Sequence, residues 1–149
     1  MKKFKFSLDK MRNYRDQLLD EEKNRLAQLK QIQFGIEQKI HELEFSFYEL
    51  SQEMKTEQEK GTYISKLRTY DSQLTNVRHQ LNQLSLDLSK AQENVDRQMT
   101  VVVSASQEVS KLDKLEEKQL EEYQKDVAKA EEALIDEFVS SDSIRKQIS

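Results

Sequence analysis

Apolar residues recur at every seventh position between Leu67 and Leu112. Two such series, one starting at Leu67 and one at Tyr70, together hold thirteen apolar residues in fourteen positions, with Gln98 as the exception. Because the whole chain is 36% hydrophobic, an arbitrary register would hold about five. The spacing predicts a coiled-coil seam, the a and d positions that must pack against another helix. Its members are Leu67, Tyr70, Leu74, Val77, Leu81, Leu84, Leu88, Ala91, Val95, Gln98, Val102, Ala105, Val109 and Leu112.

The composition fits long helices better than a compact globule. The chain is 35% charged and has two Gly and no Pro, whereas a globule needs turn residues about every dozen positions. A highly charged chain can also be disordered, but disordered segments lack such regular apolar spacing. We therefore predict an all-α fold.

Several functional classes are disfavoured. The chain has no Cys, so no disulfide framework or thiolate chemistry is expected. No run approaches the ~20 apolar residues of a membrane span, charged residues interrupt any signal peptide, and a net charge of −4 argues against nucleic acid as a partner. Nucleotide-binding glycine motifs and metal-spaced His pairs are missing, and His41 and His79 fall on outward positions. We therefore expect neither enzymatic activity nor a cofactor.

The first helix is predicted over about residues 7–59. Ser7 is its predicted N-cap, with Phe6 and Met11 closing a hydrophobic staple. Upstream of the regular spacing, a stutter at Glu22 would locally unwind the supercoil. The seam of this helix is apolar apart from Gln33 and consists of Leu26, Leu29, Gln33, Ile36, Ile40, Leu43, Phe47, Leu50 and Met54.

A turn is predicted at about residues 60–62, with Gly61 as C-cap and Thr62 as the next N-cap. A short turn favours an antiparallel hairpin, because closing a short loop costs less than recruiting a second chain. A turn nearer Tyr70 is the alternative. The sequence thus predicts one domain, a long antiparallel two-helix coiled-coil hairpin.

The second helix is predicted to be the longer one, over about residues 63–138, with a frayed tail at 139–149. Its seam would continue past Leu112 with a stutter at Glu116. The continuation is Leu120, Tyr123, Val127, Ala130, Leu134 and Phe138.

This length difference predicts an overhang. After a turn at Gly61, position i faces about position 122 − i, which places Phe4 beside Lys118 and leaves residues from Gln119 onward without a partner in the chain. The overhang is acidic and carries an apolar stripe, so we predict a partner surface there. Fraying of the helix, or a turn near Tyr70, is the alternative.

A second candidate surface lies toward the turn. Phe45 and Tyr48 point outward if Phe47 points into the seam. They form an exposed aromatic pair to which Tyr63 or Ile64 would add across the tip. Binding and simple exposure of single aromatics are both compatible with this pattern.

Three stretches together resemble the FliJ family of flagellar type III export proteins. They are the basic, aromatic start at residues 4–15 (FKFSLDKMRNYR), the segment at 112–123 (LDKLEEKQLEEY) and the acidic DEF at 136–138. The likeness covers nearly the whole chain. It implies an antiparallel two-helix rod similar to the stalk subunit of rotary ATP synthases.

The resemblance also implies partners. The end with both termini would face the central hole of the hexameric export ATPase, and another surface would contact the membrane protein of the export gate and the export chaperones. The protein would then be cytoplasmic and peripheral at the inner membrane. Carried over by position, the ATPase-binding residues are Met11, Arg12, Arg15, Leu120, Tyr123, Val127 and Leu134, and the gate-binding residues are Phe45, Tyr48, Tyr63 and Ile64. A homodimeric or filamentous structural coiled coil is the alternative.

Overall fold

Two long helices make up nearly all of the protein. A computed structural model describes residues 3–148, with α1 at Asp9–Lys60 and α2 at Ile64–Ile148. The described residues contain no strand. The helices form an antiparallel hairpin whose second helix is longer, which confirms the predicted fold class.

The turn lies at residues 61–63, because Gly61 has φ of 80° and its N–H bonds the Gln58 carbonyl at 3.3 Å. A positive φ ends a helix at low cost only for a residue without a side chain. The Tyr63 carbonyl accepts the first bond of α2, from Lys66 N–H at 3.0 Å, so Tyr63 is the N-cap and the predicted Thr62 precedes it. Tyr70 lies inside α2, which excludes the alternative turn.

The two glycines should respond to alanine with opposite signs. Gly35 lies inside α1, and a Cβ added there meets nothing within 4 Å, so Gly35→Ala should raise the free energy of unfolding by roughly 0.5–1 kcal/mol. Gly61→Ala forces a side chain into the left-handed region and should lower it by about 1–2 kcal/mol. Urea unfolding followed by circular dichroism measures both, and equal shifts of the same sign would contradict this assignment.

The start of α1 differs from the prediction. Arg12 N–H bonds the Leu8 carbonyl at 2.9 Å, so the N-cap is Leu8 and the predicted cap Ser7 lies in the preceding turn. The predicted staple is also wrong, because Phe6 is 7% exposed while Met11 is 49% exposed. Phe6 instead lies under the Arg12 guanidinium, whose carbon is 5.8 Å from the ring centroid.

The helices pack in two compact units. The turn unit spans Glu21–Val103, and the terminal unit combines Met1–Asp20 with Ser104–Ser149. Within the turn unit every predicted seam residue of both helices is buried or half-buried, with Leu26 and Ala91 among the most buried. The chain itself supplies both sides of this seam. The seam therefore gives no support to the alternative in which two chains pair along their full length.

Gln98 forms a buried polar layer in the turn unit. It is 7% exposed, and its side-chain amide donates to the Glu22 backbone carbonyl at 3.0 Å and to the Glu22 carboxylate. A polar group at a seam position costs stability but favours the one register in which its bonds form. Gln98 therefore helps to fix how the two helices align.

The predicted stutter at Glu22 is wrong. One series of buried and half-buried residues, beginning at the N-cap Leu8, keeps steps of three and four through this region, and three of its members are charged. The spacing of apolar residues alone therefore suggested an interruption. The series is Leu8, Arg12, Arg15, Leu19, Glu22 and Leu26.

The predicted stutter at Glu116 is wrong for the same reason. The seam of α2 passes from Leu112 through half-buried Glu116 and Gln119 to Tyr123. Leu120, predicted on the seam, is exposed. The spacing becomes irregular only after Tyr123, where the next half-buried residue is Val127, four positions on.

The predicted frayed tail at residues 139–149 is helical as far as Ile148, and Ser149 lies outside the described residues. No Gly or Pro follows Gly61 to stop the helix. Lys146 pairs with Asp142 at 3.5 Å across one turn, and Arg145 and Lys146 place positive charge in the last turn, where it offsets the helix dipole.

Candidate functional site

The residues before α1 pack on α2 in the terminal unit. The rings of Phe4 and Tyr123 lie 5.6 Å apart at 46°, and Phe6 is buried. The prediction that everything from Gln119 onward lacks an intrachain partner is therefore wrong. Residues 3–6 are not helical, and such a chain spans up to about 3.3 Å per residue against 1.5 Å in a helix, so Phe4 reaches past Lys118.

Arg12 links three parts of the terminal unit. Its guanidinium pairs with Glu116 on α2, pairs with Asp9 at 2.6 Å and covers the Phe6 ring. Side chains on a helix lean toward its N-terminus, so in an antiparallel pair Arg12 and Glu116 lean toward each other. Because the Arg12 side chain is long, it pairs with Glu116, which lies farther along α2 than the backbone register alone predicts.

The predicted ATPase-binding residues all belong to the terminal unit but differ in accessibility. Met11, Leu120 and Leu134 are exposed. The other four are half-buried, and each of them either contacts another part of the terminal unit or lies on the seam. They are Arg12, Arg15, Tyr123 and Val127.

The end of α2 is the fully exposed part of this unit. We call residues 131–147 the exposed tail, because every one of them is exposed. Its large apolar side chains are Leu134, Ile135, Phe138, Val139 and Ile144, with Leu134 66% and Phe138 74% exposed. The fully exposed run thus begins at Glu131, twelve residues after Gln119, where the overhang was predicted to begin.

The turn unit carries a second feature, an outer stripe on α1. Its members follow steps of three and four on the side away from the seam, are all exposed and carry no formal charge with His neutral. In a chain that is 35% charged, seven such positions in a row form an unusual surface. The outer stripe consists of Gln31, Phe34, Gln38, His41, Phe45, Tyr48 and Gln52.

Sequence reasoning found part of this stripe. It identified Phe45 and Tyr48 but missed Phe34, which is equally exposed. Stepping by seven from Phe34 gives His41 and Tyr48, and this second heptad series is the signal that could have revealed it. Acidic residues border the stripe on both sides: Glu37, Glu42, Glu44 and Glu49.

The turn residues do not join the aromatic pair. Tyr63 and Ile64 are 84% and 68% exposed, but Tyr48 lies twelve residues before the end of α1 at Lys60, about 18 Å along the axis. The four predicted gate-binding residues therefore form two patches rather than one.

Comparison with known families decides the identity of this hairpin. Residues 4–147 match the family model described as Flagellar FliJ protein. The chain belongs to the FliJ family. Neither the curated proteins nor the solved structures give a match.

Membership of the FliJ family makes this chain a component of the flagellar protein export apparatus. Among the described residues of this FliJ-family chain, no helix is long and apolar enough to cross a membrane.

Proposed function

We propose that this FliJ-family protein is a non-catalytic stalk that binds the hexameric export ATPase and links it to the export gate and to export chaperones. In this role it works in the cytoplasm and attaches peripherally to the inner membrane through its partners. The observation that carries the proposal is the exposed tail, which keeps large apolar side chains in water at the end of an otherwise paired helix. Burying each of them in a partner stabilises a complex by about 1.5–3 kcal/mol.

The ATPase is assigned to the terminal unit. Leu134 on α2 and Met11 on α1 are both exposed, and the residues from 131 to 137 add four acids and no base. Leu134 is thus an apolar anchor among acids, which suits a helix that enters a basic cavity, since charge steers entry and apolar contacts hold it. Arg12 and Tyr123 support this surface by fixing the N-terminal segment on α2.

The gate is assigned to the outer stripe in the turn unit. Phe45 and Tyr48 are each 62% exposed, and aromatic residues are enriched among those that dominate binding energies. The stripe has heptad spacing and acidic borders, so it suits a partner helix or groove with an apolar centre and basic edges. Tyr63 and Ile64 form a separate patch at the turn.

The test of the ATPase assignment uses the double variant Met11→Ala/Leu134→Ala. Both side chains are exposed, so their loss leaves the hairpin folded. We expect binding to the purified export ATPase to weaken roughly thirtyfold to a thousandfold, because two contacts of about 1–2 kcal/mol each are lost. Binding and stimulation of ATP turnover are measured by titration.

The matched control is Phe45→Ala/Tyr48→Ala, two equally exposed substitutions on the outer stripe. This variant should bind the ATPase like the wild type and lose binding to the soluble domain of the gate protein. The first variant should show the reverse pattern. Equal losses for both partners, or no loss for either, would overturn the assignment.

A further inference from the structure

The exposed tail has a self-complementary pattern centred on Phe138. Stepping by seven in each direction from Phe138 gives Glu131 and Arg145, so an acid, an aromatic ring and a base occupy one helical face in that order. Leu134 and Ser141 follow Glu131 and Phe138 by three positions and complete a two-heptad seam. All five residues are exposed.

The residues of this face lie together along the helix. Leu134, Phe138, Ser141 and Arg145 line one shallow groove, together with Glu137 and Asp142. Phe138 is 74% exposed and Leu134 66% exposed. The groove is therefore an apolar strip with charge at its borders.

We propose that the exposed tail pairs with the same segment of a second copy of this chain, antiparallel and about a two-fold axis at Phe138. In that arrangement Phe138 meets Phe138, and Glu131 of each chain meets Arg145 of the other, so the interface is isologous. Two opposite-charge layers then flank an aromatic centre.

The charge distribution selects this occupant and this orientation. Residues 131–137 hold four acids and no base, whereas residues 138–147 hold two bases and one acid. Antiparallel pairing places the acidic half of each tail against the basic half of the other, while parallel pairing places Glu131 against Glu131 and Arg145 against Arg145. Opposite charges at such positions set partner choice and orientation in coiled coils.

The interface is short, so a weak dimer is expected. Seventeen exposed residues per chain cover only about five helical turns, and interfaces of small area support transient association. The dimer should form at concentrations on the order of 10–500 μM and weaken as salt screens the charged layers.

A charge exchange tests the pairing without altering the hairpin core. Glu131→Arg and Arg145→Glu should each weaken self-association at least about tenfold in sedimentation equilibrium, because each creates like-charge layers. The double variant Glu131→Arg/Arg145→Glu restores opposite charges across the two-fold axis, and its dissociation constant should return to within about threefold of the wild type. Circular dichroism should show equal helix content in all four proteins.

A monomeric wild type across this concentration range would overturn the proposal, as would a double variant that associates no better than the weaker single one. The double variant would not recover binding to a basic cavity of another protein. Failure of this proposal and failure of the ATPase assignment are therefore distinguishable.

Single cysteines test the orientation, since the chain has no Cys of its own. Phe138→Cys should give a disulfide-linked dimer under mild oxidation, because residue 138 lies on the two-fold axis. Leu134→Cys should not, since antiparallel pairing separates its two copies by about 12 Å, beyond the ~7 Å limit for a disulfide. Linkage of both variants would indicate parallel pairing and contradict the proposal.

Discussion

Gln98→Glu should destabilise the hairpin by about 2–4 kcal/mol. The substitution preserves the shape of a side chain that is 7% exposed but replaces its donating amide with a carboxylate facing the Glu22 carboxylate. It removes two donated hydrogen bonds and adds an unpaired charge to a site with little water, and such changes are among the most costly single substitutions. The midpoint of thermal unfolding should fall by about 5–15 °C.

Gln98→Leu is the matched control. It removes the same bonds without adding charge, and the Glu22 side chain keeps 20% exposure to water. We expect a change within about 1 kcal/mol of the wild type, because removing a buried polar group is much cheaper than leaving a charge unpaired. Equal unfolding midpoints for the glutamate and leucine variants would contradict the proposed Gln98 layer.

Phe6→Ala should release the segment before α1 from α2. Phe6 is the most buried side chain of this segment and packs under Arg12, which also pairs with Glu116. Replacing a Phe in the centre of a core with Ala costs about 3–5 kcal/mol. Phe6 lies at the edge of its unit, so we expect a smaller loss of about 2–3 kcal/mol. The effect should be local, because α1 begins only at Asp9.

Limited trypsin digestion measures this release. Lys3 and Lys5 precede Phe6 in the segment before α1, and cleavage of a locally opened segment tracks the population of the open form. Cleavage at these two lysines should become roughly 30–150 times faster in Phe6→Ala. Phe45→Ala, at a ring that is 62% exposed, should leave the rate unchanged, and an equal rate for both variants would show that Phe6 does not hold the segment.

Much of the fold could be predicted from local sequence pattern. The heptad series from Leu67 to Leu112 identified a seam whose residues are all buried or half-buried. Gly61 indicated the turn because a left-handed backbone conformation strongly favours glycine. Periodicity and glycine preference are properties of short segments, so neither requires knowledge of what lies across the interface.

The ends of the seam could not be predicted in this way. Stutters were predicted at Glu22 and Glu116, and Arg12 was not placed on the seam, because charged residues usually face water. In the structure Arg12 pairs with Glu116, and Glu22 accepts from Gln98. A charged residue is acceptable on a seam only when its partner is present, and that partner lies far away in the sequence.

The candidate surfaces also differ in how much of each could be predicted from the sequence. The aromatic residues Phe45 and Tyr48 were recognisable as outward from helical spacing alone, and the structure adds Phe34 and the rest of the outer stripe. The beginning of the overhang was misplaced because the non-helical segment around Phe4 reaches Tyr123. No periodic pattern describes such a segment.

The sequence by itself determined the all-α hairpin and its longer second helix, since these depend on repeated local preferences summed over many residues. It favoured a turn at Gly61, and the structure excluded the alternative near Tyr70. Only the tertiary structure decided which polar residues enter the seam, where the N-terminal segment packs and which part of α2 stays exposed. Those features depend on single long-range contacts such as Arg12 with Glu116 and Phe4 with Tyr123. A contact of this kind leaves no repeating signal in the sequence.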